Sequence, residues 1–116
     1  MFNLVVGVAQ VSLYFRHAQS LKDKRQVLRG VIQKLKNQGF SVTESGHPDS
    51  AKQGSVAFAY VSTSANHVEK CIGDGLRLFD HGCEVLSSNY DVFDYSGDDA
   101  ETFSRVLSEE GKGEGF

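Results

Sequence analysis

A chain of 116 residues with 40% hydrophobic and 23% charged residues has the length and balance of one ordinary globular domain, with enough chain for a modest core that needs neither disulfide nor metal staples. No apolar run approaches the length of a membrane span, and two cysteines without a CxxC pair exclude a disulfide-rich secreted scaffold. The formal net charge of -3 conceals a division: residues 1–68 hold 8 Lys and Arg against 3 Asp and Glu, a balance of +5, while residues 69–116 hold 4 against 12, a balance of -8.

Residues 4–15 alternate as a strand, with Val5, Gly7, Ala9, Val11, Leu13 and Phe15 on an apolar face expected to meet the core. Such alternation, without a basic leader, is not a signal peptide. After a loop at 16–19, Ser20 is a good helix cap, and Asp23 stands where a short capping box needs it. The helix runs to about Gln38 and stops at Gly39, with Leu21, Leu28, Val31, Ile32 and Leu35 as its apolar stripe. Residues 40–45 and 55–62 read as strands joined by a loop at 46–54 that carries the single proline.

Ser62 or Ser64 caps a second helix whose stripe is Ala65, Val68, Ile72, Gly75 and Phe79, with His81 and Gly82 suited to its end. Gly73 and Gly75 weaken that helix by roughly 1 kcal/mol each relative to alanine, so close packing on the sheet is the use expected of them. Residues 83–94 form a last strand. Residues 98–110 can form a short helix showing Phe103, Val106 and Leu107 on one side, followed by a flexible GKGEGF tail.

The order β-α-β-β-α-β predicts an α+β fold, a ferredoxin-like sandwich: a four-stranded antiparallel sheet with two helices on one face, over residues 1–95, and a C-terminal extension at 96–116. The second sheet face is then open. Val6, Val8 and Phe58 or Tyr60 are expected there, covered either by residues 98–110 or by a second copy of the chain in a homodimer.

The strand VGVAQVSLYF followed by SLKDKR, the βαββαβ outline and the serine-rich turn before HVEK resemble the YlxP-like family of small bacterial proteins. The likeness spans roughly residues 3–95. It implies a ferredoxin-like fold and a cytoplasmic bacterial protein. The family's gene neighbourhood, among translation-initiation and ribosome-maturation genes, implies an RNA or a ribosome as partner.

The cations of the first helix carry the functional reading. Lys22, Arg25, Arg29 and Lys36 fall on one stripe beside the apolar one, while Asp23, Gln26, Gly30, Gln33 and Asn37 make a third face that is almost uncharged. Arg16 precedes the helix, and Lys22, Lys24 and Arg25 crowd its start. The helix dipole disfavours cations there by about 0.3–1 kcal/mol each, whereas the free N–H groups attract anions. Arg16, Lys22, Lys24, Arg25, Arg29 and Lys36 are therefore the expected nucleic-acid or anion contacts; the alternative is a solvated basic face balanced by the acidic second half. Lys24 lies on the apolar stripe. Its stem either covers the core edge while its ammonium snorkels to water, or reaches a carboxylate such as Asp91 or Asp94.

Competing chemistries have less support. Phe58 and Tyr60 do not fit the register of an RRM's base-stacking strand. GVAQVSLYFR partly resembles the acylphosphatase cradle through Gly7, Gln10, Phe15 and Arg16, but the spacing is one residue too long and the cradle glycine is missing, so a phosphate hydrolase is the remote alternative. His67 and Cys71, four apart, lack the paired spacing usual for zinc. No cofactor, metal or catalytic residue is expected. The reading is a non-catalytic RNA- or ribosome-associated module, with a structural homo-oligomer as its competitor.

Overall fold

The computed structural model describes residues 3–79 and 82–96. Its elements are β1 (Asn3–Tyr14), α1 (Leu21–Asn37), β2 (Ser41–Gly46), β3 (Gln53–Ser62), α2 (Ala65–Leu76) and β4 (Glu84–Ser96). The strands form one sheet in the order β2-β3-β1-β4, every neighbouring pair antiparallel. With helices crossing between β1 and β2 and between β3 and β4, this is the ferredoxin-like arrangement. The expected helix at 98–110 and the GKGEGF tail lie outside the described residues.

Local chemistry sets the element ends. Ser20 accepts from the Asp23 N–H at 3.2 Å, and Asp23 accepts from the Gln19 N–H at 2.9 Å, one residue before the cap, so the helix start is tied from both sides. Gly39, at φ 95°, ends α1 in the left-handed conformation that glycine adopts without strain, and Phe40 N–H then reaches back to the Leu35 carbonyl at 3.2 Å. Ser64 caps α2 by accepting from the His67 N–H at 3.3 Å.

The core lies between the sheet and the two helices. Val5, Ala9, Val11, Leu13 and Phe15 are buried there, as the alternation of β1 predicts, with Leu28, Val31 and Leu35 from α1 and Val68 and Ile72 from α2. Phe58 is packed edge-on to Phe40 at a centroid distance of 4.9 Å and stacks on Phe79 at 6.1 Å. Gly75 makes close packing possible: a Cβ there would meet Phe58 at 2.9 Å and Phe40 at 3.0 Å. Around Gly73 nothing lies within 4 Å, so the packing role belongs to one glycine of the two.

The expectation that Phe58 or Tyr60 faces the open side is corrected by the register. Phe58 pairs with Ala9 and Tyr60 with Gly7, which puts both rings on the helix side. The other face of β3 carries Ala57, Ala59 and Val61. Both faces are apolar, and the larger residues take the core, where they bury more surface. On the open face, Val61, Val6 and Phe93 lie side by side on β3, β1 and β4. Val61 is 58% exposed, Phe93 52% and the neighbouring Val8 37%.

Candidate nucleic-acid interface

The six cations separate into three environments. Arg16, in the loop after β1, turns its guanidinium to Glu84 at the start of β4, with Nε donating to Oε1 at 2.7 Å. Its backbone carbonyl accepts from the Lys52 ammonium at 2.8 Å, so this loop is tied to the β2–β3 connection as well as to β4. Both partners of the Arg16–Glu84 pair stay largely exposed, and such a pair contributes about 0–1 kcal/mol.

Lys24 goes inward. It is 1% exposed, and its ammonium donates to the carbonyls of His47 at 2.7 Å and Gln53 at 2.9 Å. These carbonyls bracket the β2–β3 connection, where His47 holds a left-handed φ of 58° and the Ser50 N–H closes a turn onto the same His47 carbonyl. Burial lowers the Lys24 pKa below its usual value, Glu44 and Asp49 oppose that shift, and Arg25 adds to it. Neither expected placement describes this lysine: its head does not snorkel to water, and its partners are backbone carbonyls rather than Asp91 or Asp94. Those acids lie on β4, the sheet edge away from the β2–β3 connection. The backbone meets the charge that the apolar stripe could not.

Lys22, Arg25 and Arg29 point outward together. They line one shallow groove with Leu21 and Gln26. Arg25 and Arg29 also form the rim of a second groove, lined by Ile32, Glu44 and Pro48. Lys36 is exposed on the same stripe, about 10 Å further along the helix at 1.5 Å per residue. Among the described residues the ion pairs are Arg16–Glu84 and Arg77–Asp74, so none of these four cations has an acidic partner. The gathering expected for Lys22, Arg25 and Arg29 is present, and Lys36 extends it.

The other chemistries can be placed against the same geometry. From Gly7 to Tyr14 the chain is strand, paired with β3 throughout and with β4 through one register shift between Ser12 and Leu13, so its amides serve the ladders instead of converging on a phosphate. Among the described residues, no group of three or more His, Cys, Asp or Glu side chains could hold a metal ion. The spacing of His67 and Cys71 gave no sign of a third participant: Tyr60 of β3 brings its hydroxyl to 3.1 Å from His67 Nε2. Only the fold joins them, because Tyr60 belongs to a different element.

A family model described as a protein of unknown function, DUF503, matches residues 6–91. The chain is 30% identical over 82 residues to the uncharacterized protein YlxP of Bacillus subtilis, a match covering 70% of this chain and 89% of that one. Among solved structures, a VAO-type flavoprotein from Myceliophthora thermophila C1 matches 80% of this chain at 16% identity with a TM-score of 0.49; the chain spans only 19% of that protein's length. The cofactor-independent oxygenase SnoaB of Streptomyces nogalater matches 78% of this chain and 91% of its own at 15% identity and a TM-score of 0.42. A de novo designed protein with a ferredoxin fold matches 83% of this chain and 87% of its own at 10% identity and a TM-score of 0.33. At these scores the likenesses say nothing of activity.

Proposed function

The chain belongs to the DUF503 family of proteins of unknown function, and from that premise we propose that it is a non-catalytic module that holds the phosphate backbone of an RNA, in the translation setting the family resemblance implies, on the outer face of α1. The observation that supports this reading most is the groove of Lys22, Arg25 and Arg29, three exposed cations without an acidic partner among the described residues. Two of them stand in the first turns of α1, where the dipole and their own repulsion both count against the unliganded helix. A bound phosphate reverses the sign of both terms. Lys36 continues the line, as an extended polyanion requires. Arg16 and Lys24, engaged by Glu84 and by loop carbonyls, are left out of the contact surface. A cytoplasmic setting, which the family resemblance implies, is part of the same proposal.

The test is binding of a single-stranded RNA oligonucleotide over a salt series. Each phosphate contact to a single strand contributes about -0.7 to the slope of log affinity against log salt. The wild-type slope should therefore be near -3 for four contacts, and the folded variant Lys22→Gln, Arg25→Gln, Arg29→Gln should lose about two units of it. Absence of binding at low salt, or an unchanged slope in the variant, removes the proposal.

A second reading has its own observation, the row Val61, Val6 and Phe93 across the open sheet face. A second copy of the chain laid on that face would bury it, and this leaves α1 free for RNA. Light scattering should then return twice the chain mass at micromolar concentration, and Val61→Glu should halve it. A wild-type mass of one chain throughout that range rules the homodimer out.

A further inference from the structure

We propose that Cys71 is a reactive thiol, served by His67 as general base and by Tyr60 as hydrogen-bond donor, and that it takes up a low-molecular-weight disulfide by exchange. The site is independent of the basic face of α1. His67 and Cys71 stand one turn apart on α2, with His67 Nε2 3.6 Å from Cys71 Sγ. The same nitrogen lies 3.1 Å from the Tyr60 hydroxyl, so a thiol, an imidazole and a phenol share one point.

The cluster is built on rigid elements. Tyr60 is half-buried and held edge-on by Phe40 at 5.5 Å, with the His67 ring edge-on to it in turn at 5.6 Å. Gly39 keeps its α-carbon bare next to the phenol ring, where a Cβ would come within 3.4 Å of Tyr60 Cε1. His67 itself is exposed and Cys71 is half-buried. A small disulfide can reach that sulfur more readily than a folded protein can.

The three groups divide the chemistry between them. His67 Nε2, 3.6 Å from the sulfur, is placed to accept the thiol proton as attack begins. The Cys71 thiol raises the Tyr60 pKa above its usual value, first by hydrogen bonding and then by charge, with a lesser contribution from burial. Tyr60 thus stays protonated at neutral pH and can donate to a thiolate. In the exchange, Cys71 Sγ bonds to one sulfur of the disulfide as its S–S bond breaks. The leaving thiolate then recovers the proton from His67 Nε2. One thiol and one disulfide become one mixed disulfide and one thiol, with no net oxidation, and excess small thiol reverses the step.

Cys83 is the second thiol of the chain and lies outside α2; its Sγ donates to the Phe79 carbonyl at 3.5 Å.

The experiment treats the reduced full chain with oxidised glutathione and follows adducts at each cysteine by peptide mass. Cys71 should react about tenfold faster than Cys83. In a Cys83→Ser background, His67→Asn should slow the reaction about tenfold, and Tyr60→Phe a few-fold. Because Tyr60 also packs on Phe40, each variant's circular dichroism is compared with the parent's, and His67→Gln, at an exposed position, provides a second removal of the base. The wild-type rate against pH should have a shape that both His67 variants lose, a signature that loss of packing does not produce. Equal rates at the two cysteines, or a pH profile unchanged by His67→Asn and His67→Gln, overturns the proposal.

Discussion

Gly7→Ala should cost the protein about 3 kcal/mol, read as a fall in the urea midpoint at unchanged slope. A Cβ at Gly7 would lie 2.5 Å from Val68 Cγ1 and 2.9 Å from Ile72 Cγ1. Both neighbours are fully buried β-branched side chains of α2, with few rotamers to escape into. The helix must rise off β1, and every contact it makes with β3 and β4 loosens as it does. Against a total of roughly 5–15 kcal/mol for a domain, a loss of this size is conspicuous. Gly73→Ala supplies the opposite sign in the same assay. Nothing lies within 4 Å of that position, and alanine in a helix interior is favoured over glycine by about 1 kcal/mol. If Gly7→Ala kept the wild-type midpoint, α2 would not be seated on β1 as described.

The two glycines show where the sequence stops being informative. Periodicity marks Gly7 as core-facing, and the structure agrees, but nothing in the pattern says that a helix would press on its bare α-carbon. Periodicity puts Gly75 on the apolar stripe and Gly73 off it, but only the arrival of Phe40 and Phe58 shows that Gly75 has no room for a Cβ. Element order, the cap at Ser20 and the stop at Gly39 are legible because each is decided within a few residues of chain, while the second cap is narrowed to Ser62 or Ser64 and the structure selects Ser64. The orientation of β3 is not, since Val56, Phe58 and Tyr60 alternate with Ala57, Ala59 and Val61, and a strand apolar on both faces does not declare which one is buried.

The basic face follows the same division. The shared stripe of Lys22, Arg25, Arg29 and Lys36 is a matter of helical spacing, and it was readable. Whether a cation is free depends on partners far away in the chain. Arg16 finds Glu84, 68 positions on, and Lys24 finds carbonyls 23 and 29 positions on. Backbone carbonyls occur at every residue, so no motif could have marked His47 and Gln53 as the pair that would accept a lysine.

Lys24→Met tests that assignment, and it should cost about 2 kcal/mol at neutral pH. Methionine keeps the length and apolar character of the stem, so the core edge stays filled. What it removes is a charged donor from two carbonyls. Such hydrogen bonds are worth roughly 1.5–3 kcal/mol each, and the loss is reduced because the charge no longer has to be buried. The pH dependence has a definite sign. Burial lowers the Lys24 pKa in the folded protein below the 10.5 of the free side chain, so between those values the unfolded chain binds more protons and this group's contribution to stability rises with pH. Tyr60 has the opposite trend above pH 10, its pKa being raised on folding, but wild type and variant share it. The difference between them should therefore widen as pH climbs from neutrality towards 10.5; a difference that stays flat would mean the ammonium is solvated after all. The same variant separates structure from function on α1. With its ammonium already given to His47 and Gln53, Lys24 has no donor facing a phosphate, and its replacement should leave the salt slope of RNA binding unchanged. A slope shallower by about 0.7 would return Lys24 to the contact surface.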